Sequence, residues 1–374
     1  MSGIWPPDIG GPATHMPQVA DFLHARDHVV SVITTADVQP EARPYPVDWV
    51  PRSLPPGARH LSMVVRIVRL ARRADVIYAT SVPTRAAAGA SIAGTPLVLK
   101  LTTDDAFERA GRLGWFAGDM DAFQEATGLR SRLLGILRNG AIRRVACLVC
   151  PSTYVAELAV SWGASPVRVR VIPNAAPEVD HLPSREEARE RLGVDGTTLA
   201  FAGRLGPQKA LHVALDALAL VPSVELLLAG EGPDREVLEA RAAELGLDGR
   251  VRFLGAQSHA SVSELFRAAD ASLLSSDWEN FPHAVVESLA VGTPVIATAV
   301  GGVRELIEDS VNGLLVPPRD PTELARAIDR LAHENGLRQS LAAGTNRSVA
   351  KYAPQRVLEG LEQALRAVAE GSPS

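Results

Sequence analysis

The chain has 374 residues, 46% hydrophobic and 22% charged, with a formal net charge of −5. That length suits two domains of ordinary size, and the composition is that of a soluble globular protein. No apolar run approaches the roughly 20 residues that span a bilayer, and the N-terminus lacks the basic start and apolar core of a signal peptide.

Charge is uneven along the chain. Residues 1–175 hold 19 basic and 14 acidic side chains, and residues 176–374 hold 19 and 29, so the halves carry +5 and −10. Short apolar runs alternate with amphipathic segments throughout, the pattern of parallel α/β layers. Strands are expected at residues 28–34, 75–80, 96–101, 146–152 and 167–173. Two basic stripes lie among them, MVVRIVRLARR at 63–73 and LRSRLLGILRNGAIRR at 129–144. Each fits a helix with one core face and one solvated face. Each is also able to touch an anionic membrane surface or an acidic acceptor.

Cys147 and Cys150 form C-x-x-C inside the 146–152 run. A redox or metal pair has that spacing. On a strand, however, positions three apart face opposite sides, and no other cysteine completes a zinc site. Two core thiols in a reducing compartment are expected.

The run VIPNAAPEVDHLPSREEA reads as a linker, with a hinge at roughly residues 173–183. Beyond it, strands are expected at 198–203, 224–230, 250–255, 271–276 and 294–299, and helices at 207–221, 233–246 and 283–291. GEGPDREVLE, from residue 230, reads as a tight structural turn after a strand. The segment PQRVLEGLEQALRAVAEG is one amphipathic helix. The expected divisions are 1–175, 176–350 and 351–374.

Residues 275–300, SSDWENFPHAVVESLAVGTPVIATAV, carry the densest chemistry. Glu279 and Glu287 stand eight positions apart, separated by an Asn-Phe-Pro turn and the start of an apolar helical run. A turn feeding a helix presents unpaired N–H groups and a positive dipole end, which favours phosphate. Carboxylates beside it accept hydrogen bonds from hydroxyls. The combination suits a ligand with sugars on both sides of a diphosphate, a nucleotide-sugar. Arg204 and Lys209 follow the strand at 198–203, at the edge where open α/β sheets bind ligands. Arg forks two phosphate oxygens and Lys adds a point charge. Only three lysines occur against 35 arginines, so a lysine at 209 hints at a need for a compact ammonium. Taken singly, each residue has an ordinary reading: a surface cation at a strand end, or a glutamate on a solvated helix face. Glu287 fits the latter poorly, because AVVESLA around it is apolar.

Together, Glu279 and Glu287 with Phe281 and Pro282, the block FAGRLGPQKALHVALDAL, and the block AVGGVRELIEDSVNGLLVPPRD resemble the donor site of retaining glycosyltransferases of family four. The likeness is densest from residue 198 to 320. It implies an α/β fold of the GT-B type: two Rossmann-like, doubly wound domains facing a cleft, with the C-terminal helix returning to the first. The first domain would be the acceptor side and the second the nucleotide-sugar side. It implies a hexosyl- or hexosaminyltransferase that moves sugar from a nucleoside-diphosphate sugar, UDP favoured, to an acceptor hydroxyl with retention. The leaving phosphate would take the acceptor proton.

The resemblance gives Arg204 and Lys209 the diphosphate, Glu279 the donor-sugar hydroxyls and Glu287 the ribose. Backbone N–H groups after Phe281 and Pro282 would hold sugar or phosphate. Gly10-Gly11 corresponds to a loop near phosphate and acceptor, with Gly11 placed at the donor. Only nine residues precede that loop where the family has a full strand, so the first strand is expected to be truncated or its start mis-assigned. Many members carry a His after the strand that is PLVLKL here. This chain reads LKLTTDDAFERA, closer to a subset without it. Asp104 is the candidate polar residue there, with Thr102, Thr103 and Asp105 as competitors, and helix capping as the plainer role. His283 is open to either a sugar contact or a helix first turn.

No cofactor is expected, and no metal, since Arg204 and Lys209 supply the charge; Asp277-Trp-Glu279 resembles a metal-binding Asp-x-Asp only superficially. No nucleic-acid partner is expected. The expected location is cytoplasmic, with peripheral contact to the inner face of the membrane open. Two alternatives stand beside this reading: a nucleotide-sugar 2-epimerase of similar architecture and an inactive nucleotide-sugar-binding protein. A dehydrogenase is excluded for lack of a G-x-G-x-x-G after an early strand.

Overall fold

All strand pairs among the described residues are parallel. The structure, a computed structural model, describes residues 1–371 except Ile9, Gly10, Ser81, Ala117, Asp119, Asp180 and His181. Gly10 of the Gly-Gly loop therefore lies outside the described residues. Two compact units emerge: Met1–Pro173 with Gln355–Ser374, and Asn174–Pro354.

In the first unit, β1 (Val32–Ala36) pairs with β2 (Val47–Pro51). A four-stranded sheet follows in the order β3 (Ile77–Thr80), β4 (Leu97–Lys100), β5 (Cys147–Cys150), β6 (Val169–Val171). The chain start bridges the two sheets. Ser2 N–H donates to Ile33 O at 3.0 Å, Thr80 N–H to Met1 O at 3.1 Å, and the Met1 ammonium to Tyr78 O at 2.6 Å. β1 begins later than the apolar run at 28–34, and Val29 is fully exposed. β2 is absent from the sequence reading. Its residues VDWVP follow Pro46 and end in Pro51, tolerated here because β2 pairs on one side only among the described residues.

Cys147 and Cys150 are buried free thiols on β5. They belong to different core clusters, one with Trp5 and Val98, the other with Ile142 and Leu148. This is the opposite-face placement that alternation requires. Burial raises both thiol pKa values, that of Cys150 to about 12, so neither is a ready thiolate.

The helix Pro354–Ala369 lays Leu361, Leu365 and Val368 against Trp5, Met16 and Val19 of the first unit. Glu362 fixes it, accepting from His28 at 2.8 Å and from Arg366 at 2.9 Å, with Arg26 at 2.8 Å. The His28 bond first, then Arg366 and Arg26, hold that carboxyl down at about 2.

The second unit is a six-stranded sheet. Its strands are β7 (Thr197–Ala202), β8 (Val224–Ala229), β9 (Val251–Gly255), β10 (Ala271–Leu274), β11 (Val295–Thr298) and β12 (Gly313–Val316), in the order 12-11-10-7-8-9. Leu199 and Phe201 of β7 enter one core and Ala200 the other. Both faces are thus covered, which is why these strands read as unbroken apolar runs.

The loops after β7 and β8 touch backbone to backbone. Gly203 N–H donates to Ala229 O at 3.0 Å and Leu205 N–H to Glu231 O at 3.0 Å. A Cβ on Gly230, at φ +143°, would lie 1.8 Å from Gly203 O, and one on Gly232 would lie 2.0 Å from Leu205 O. Only glycine permits this approach. Gly230→Ala is therefore expected to cost about 2 kcal/mol or more. Gly57→Ala, in the helix Pro56–Ala71 with open space around it, is expected to be neutral or stabilising by up to ~1 kcal/mol. Urea denaturation of both variants checks this; equal midpoints would contradict it.

Candidate functional site

In the second unit the strand order reverses between β7 and β10. β8 and β9 continue beyond one, and β11 and β12 beyond the other. Ligands of open α/β sheets bind at the carboxyl ends flanking such a reversal. The loop leaving β7 carries Arg204 and Lys209, and the loop leaving β10 carries Glu279.

These loops are bonded to each other. Asp277 N–H donates to Gln208 O at 2.9 Å, Gln208 Nε2 to Trp278 O at 2.9 Å, and Ser275 Oγ to Lys209 O at 2.8 Å. Lys209 Nζ donates to Glu279 Oε1 at 2.5 Å, and Ser276 Oγ donates to the same oxygen at 2.7 Å. Two neighbours steady the Glu279 loop: Thr298 Oγ1 donates to Ser276 O at 2.6 Å, and Gly302 N–H to Glu279 O at 3.0 Å. Ala210, directly after the lysine, has φ +44° and ψ +40°, a left-handed conformation costing an L-residue about 1–2 kcal/mol.

An ammonium has three donors and a carboxylate two oxygens. After their mutual bond, Lys209 retains N–H groups for an anion and Glu279 retains Oε2 for hydroxyls. Arg204 is exposed and makes no hydrogen bond or ion pair among the described residues. It stands on the Lys209 loop with its charge uncompensated.

Phe281 is 7% exposed and packs edge-on against Tyr352 at 5.7 Å. Its side chain is core, so only its backbone is offered to a ligand. Pro282 is the N-cap of the helix His283–Ala290, which has no side-chain cap. The carboxyl of Glu287, on that helix, has no hydrogen bond among the described residues. Burial pushes its carboxyl above the ordinary glutamate range, partly offset by His259. A half-buried carboxylate without a donor is costly unless a ligand supplies one. His283 lies 3.1 Å from Asn174 Nδ2 through its Nε2. Asp277 pairs with Arg319 at 3.1 Å, so the carboxylates of the Asp-Trp-Glu run each meet a separate cation. Among the described residues no group of three His, Cys, Asp or Glu is placed to hold a metal ion.

The first unit gathers a different set. Gly11 opens the helix Gly11–His24 and is exposed. Asp104 is 1% exposed and is the N-cap of the helix Asp105–Arg112. Its Oδ1 accepts from Ala106 and Phe107 N–H at 2.9 and 3.3 Å, and its Oδ2 from Gln124 at 2.9 Å and from Arg138. Arg138 in turn stacks over the Trp162 ring at 4.0 Å. Both oxygens of Asp104 are thus committed to its own unit. Its sequence competitors Thr102, Thr103 and Asp105 instead line a cavity of about 460 Å³, together with Lys100 and Arg85.

Lys100 was not singled out for this role by the sequence. It is 3% exposed at the end of β4, with Nζ 3.4 Å from His15 Nε2. Burial lowers its pKa to about 7. One signal was present: a lysine inside the apolar strand LVLK, in a chain that otherwise uses arginine.

Residues 184–347 match the family described as glycosyl transferases group 1, and residues 9–177 match glycosyltransferase family 4. The D-inositol 3-phosphate glycosyltransferase of Salinispora arenicola is 35% identical over 231 residues, covering 56% of this chain and 52% of that protein. The protein of that name from Mycobacterium tuberculosis (strain ATCC 25177 / H37Ra) is 40% identical over 178 residues, covering 45% and 37%. The chain thus spans about half the length, or less, of these curated relatives. Among solved structures, Anabaena Alr3699/HepE in complex with UDP and glucose aligns at TM-score 0.79 with 22% identity, covering 98% of both chains. Sucrose-phosphate synthase from Thermosynechococcus elongatus aligns at 0.80 with 21% identity, covering 97% and 94%. At these identities the likeness establishes the fold. With one family match in each unit and that fold along nearly the whole length, the chain belongs to glycosyltransferase family four and has its GT-B architecture.

Proposed function

We propose that this chain transfers a sugar from a nucleoside-diphosphate sugar, UDP favoured, to an acceptor hydroxyl with retention of configuration. The observation that carries this reading is the Lys209–Glu279 contact, which joins the ends of β7 and β10 at the reversal of strand order. Family membership supports the reaction class. Solved neighbours holding UDP and UDP-glucose support the donor class.

In this reading Arg204 and Lys209 hold the diphosphate. Negative charge grows there as the anomeric bond breaks, and preorganised cations stabilise it. Glu279 takes donor-sugar hydroxyls with Oε2. Glu287 takes the ribose hydroxyls, which supply its missing donors. The main chain at Phe281 and Pro282 adds polar contacts. Asp104 serves by positioning: it caps the helix after β4 and anchors Arg138, fixing the threonines before it. The leaving phosphate accepts the acceptor proton, so no base or metal enters.

Lys209→Ala and Arg204→Ala are each expected to lose roughly 10²-fold or more in turnover. Wild-type turnover is expected to persist in excess chelator, and an α-linked donor to give an α-linked product by NMR. Wild-type rates in both variants, or a chelator loss restored by a divalent ion, would overturn the clamp. Glu287 adds a pH signature. Its carboxyl titrates above the ordinary glutamate range, and the carboxylate is the better hydroxyl acceptor. Nucleoside-diphosphate affinity should be full above that raised pKa and fall as pH drops through it. Glu287→Gln should flatten the profile. Calorimetry from about pH 5 to 8 reads this, and an unchanged profile in the variant would refute the ribose role.

One observation favours peripheral membrane contact as well. The helix Leu129–Ile142 exposes Leu129 at 85%, Ile136 at 67% and Leu133 at 52%, beside Arg130, Arg132, Arg143 and Arg144. Apolar insertion with basic flanks suits an anionic surface. No helix among the described residues is long and apolar enough to cross a membrane. Co-sedimentation with phosphatidylglycerol vesicles should fall in Leu133→Ser/Ile136→Ser. Equal sedimentation of variant and wild type would remove the membrane role.

A further inference from the structure

A second cavity in the first unit, of about 580 Å³, is lined by Arg59, His60, Arg85, Arg109 and Arg112. Three elements bring these side chains together: the helices Pro56–Ala71, Pro83–Ala93 and Asp105–Arg112. Among the described residues the only acid on its wall is Asp105. Four guanidiniums and one carboxylate leave +3 with His60 neutral. Among the described residues Arg85, Arg109 and Arg112 make no ion pair, and Arg59 donates only to the Arg52 carbonyl, at 3.0 Å. The strain shows in the titrations. Burial, then Arg59 and Arg109, lowers the Arg85 pKa, and burial with Arg85, Arg59 and Arg109 lowers that of His60.

Like charges held together cost stability unless an anion joins them. We propose that this cavity binds a phosphomonoester group carried by the acceptor. A phosphomonoester dianion would reduce +3 to +1, whereas a carboxylate would leave +2. Guanidinium forks also match phosphate oxygens. The cavity shares Val82, Pro83, Arg85, Asp105 and Arg112 with the one that holds Lys100 and the threonines, so a bound phosphate would leave the rest of its carrier beside polar side chains. Placing the phosphate on an acceptor rests on the glycosyltransferase reading; the anion site does not.

The test uses the full chain with saturating UDP, so that the donor site is occupied. Calorimetry with inorganic phosphate should show one site. Arg85→Gln, Arg109→Gln and Arg112→Gln should each weaken it about tenfold or more. Arg170→Gln, on β6 outside the cavity, makes the same charge change and should leave it intact. Transfer to polyol and sugar phosphates should exceed transfer to the same compounds without phosphate, and Arg85→Gln should erase the preference. Displacement of phosphate by phosphatidic acid vesicles, but not by phosphatidylcholine, would place the group on a lipid; no displacement would place it on a soluble acceptor. Absent phosphate binding, equal binding by all variants, or equal loss in Arg170→Gln would overturn the site. Phosphate binding without any sugar transfer would overturn the glycosyltransferase reading alone.

Discussion

The bonding between the β7 and β10 loops is the constraint on which the rest of the site depends. Parallel strands neighbouring at a reversal of order send their next helices to opposite sides, and their loops would otherwise diverge. Here three hydrogen bonds between residues 208–209 and 275–278, and the Lys209–Glu279 contact, hold them together. A cation and an acid are thereby fixed side by side before any ligand arrives. Preorganisation of this kind is what electrostatic catalysis of phosphate departure needs, since no rearrangement is then required as charge develops.

The support for that contact is distributed. Thr298 of β11 bonds the Ser276 carbonyl, and Gly302 bonds that of Glu279. On the other side, the β8 loop leans on the β7 loop through contacts open only to glycine. Phe281 contributes by burial, anchoring the Glu279 turn against Tyr352. The Phe281 side chain thus holds in place a loop whose main chain is the part offered to a ligand. Asp104 behaves similarly in the first unit, where it is spent on a helix cap and on Arg138.

The buried sheet of the second unit was legible in the sequence because both of its faces are covered, so each strand is an unbroken apolar run. The pairing of β1 with β2 was not, since β2 follows Pro46 and itself ends in Pro51. The glutamates, Arg204 and Lys209 were found through motif resemblance and strand-end position. The bond between Lys209 and Glu279, across 70 residues of chain, depends on strand order and has no local signal. In TTDD, which neighbour caps the helix and which lines the cavity turns on a single-residue register that composition does not encode. The arginines of the first unit are spread over three helices, and only the packing of those helices makes them one cluster.

In the proposed function the ends of β7 and β10 hold the diphosphate of a nucleotide-sugar. A crystal structure of the full chain with UDP tests it most directly. Diphosphate oxygens are expected within hydrogen-bond reach, about 3.2 Å, of Lys209 Nζ and the Arg204 guanidinium, with the ribose on Glu287. A nucleotide bound elsewhere, or a diphosphate with no contact to either cation, would contradict it.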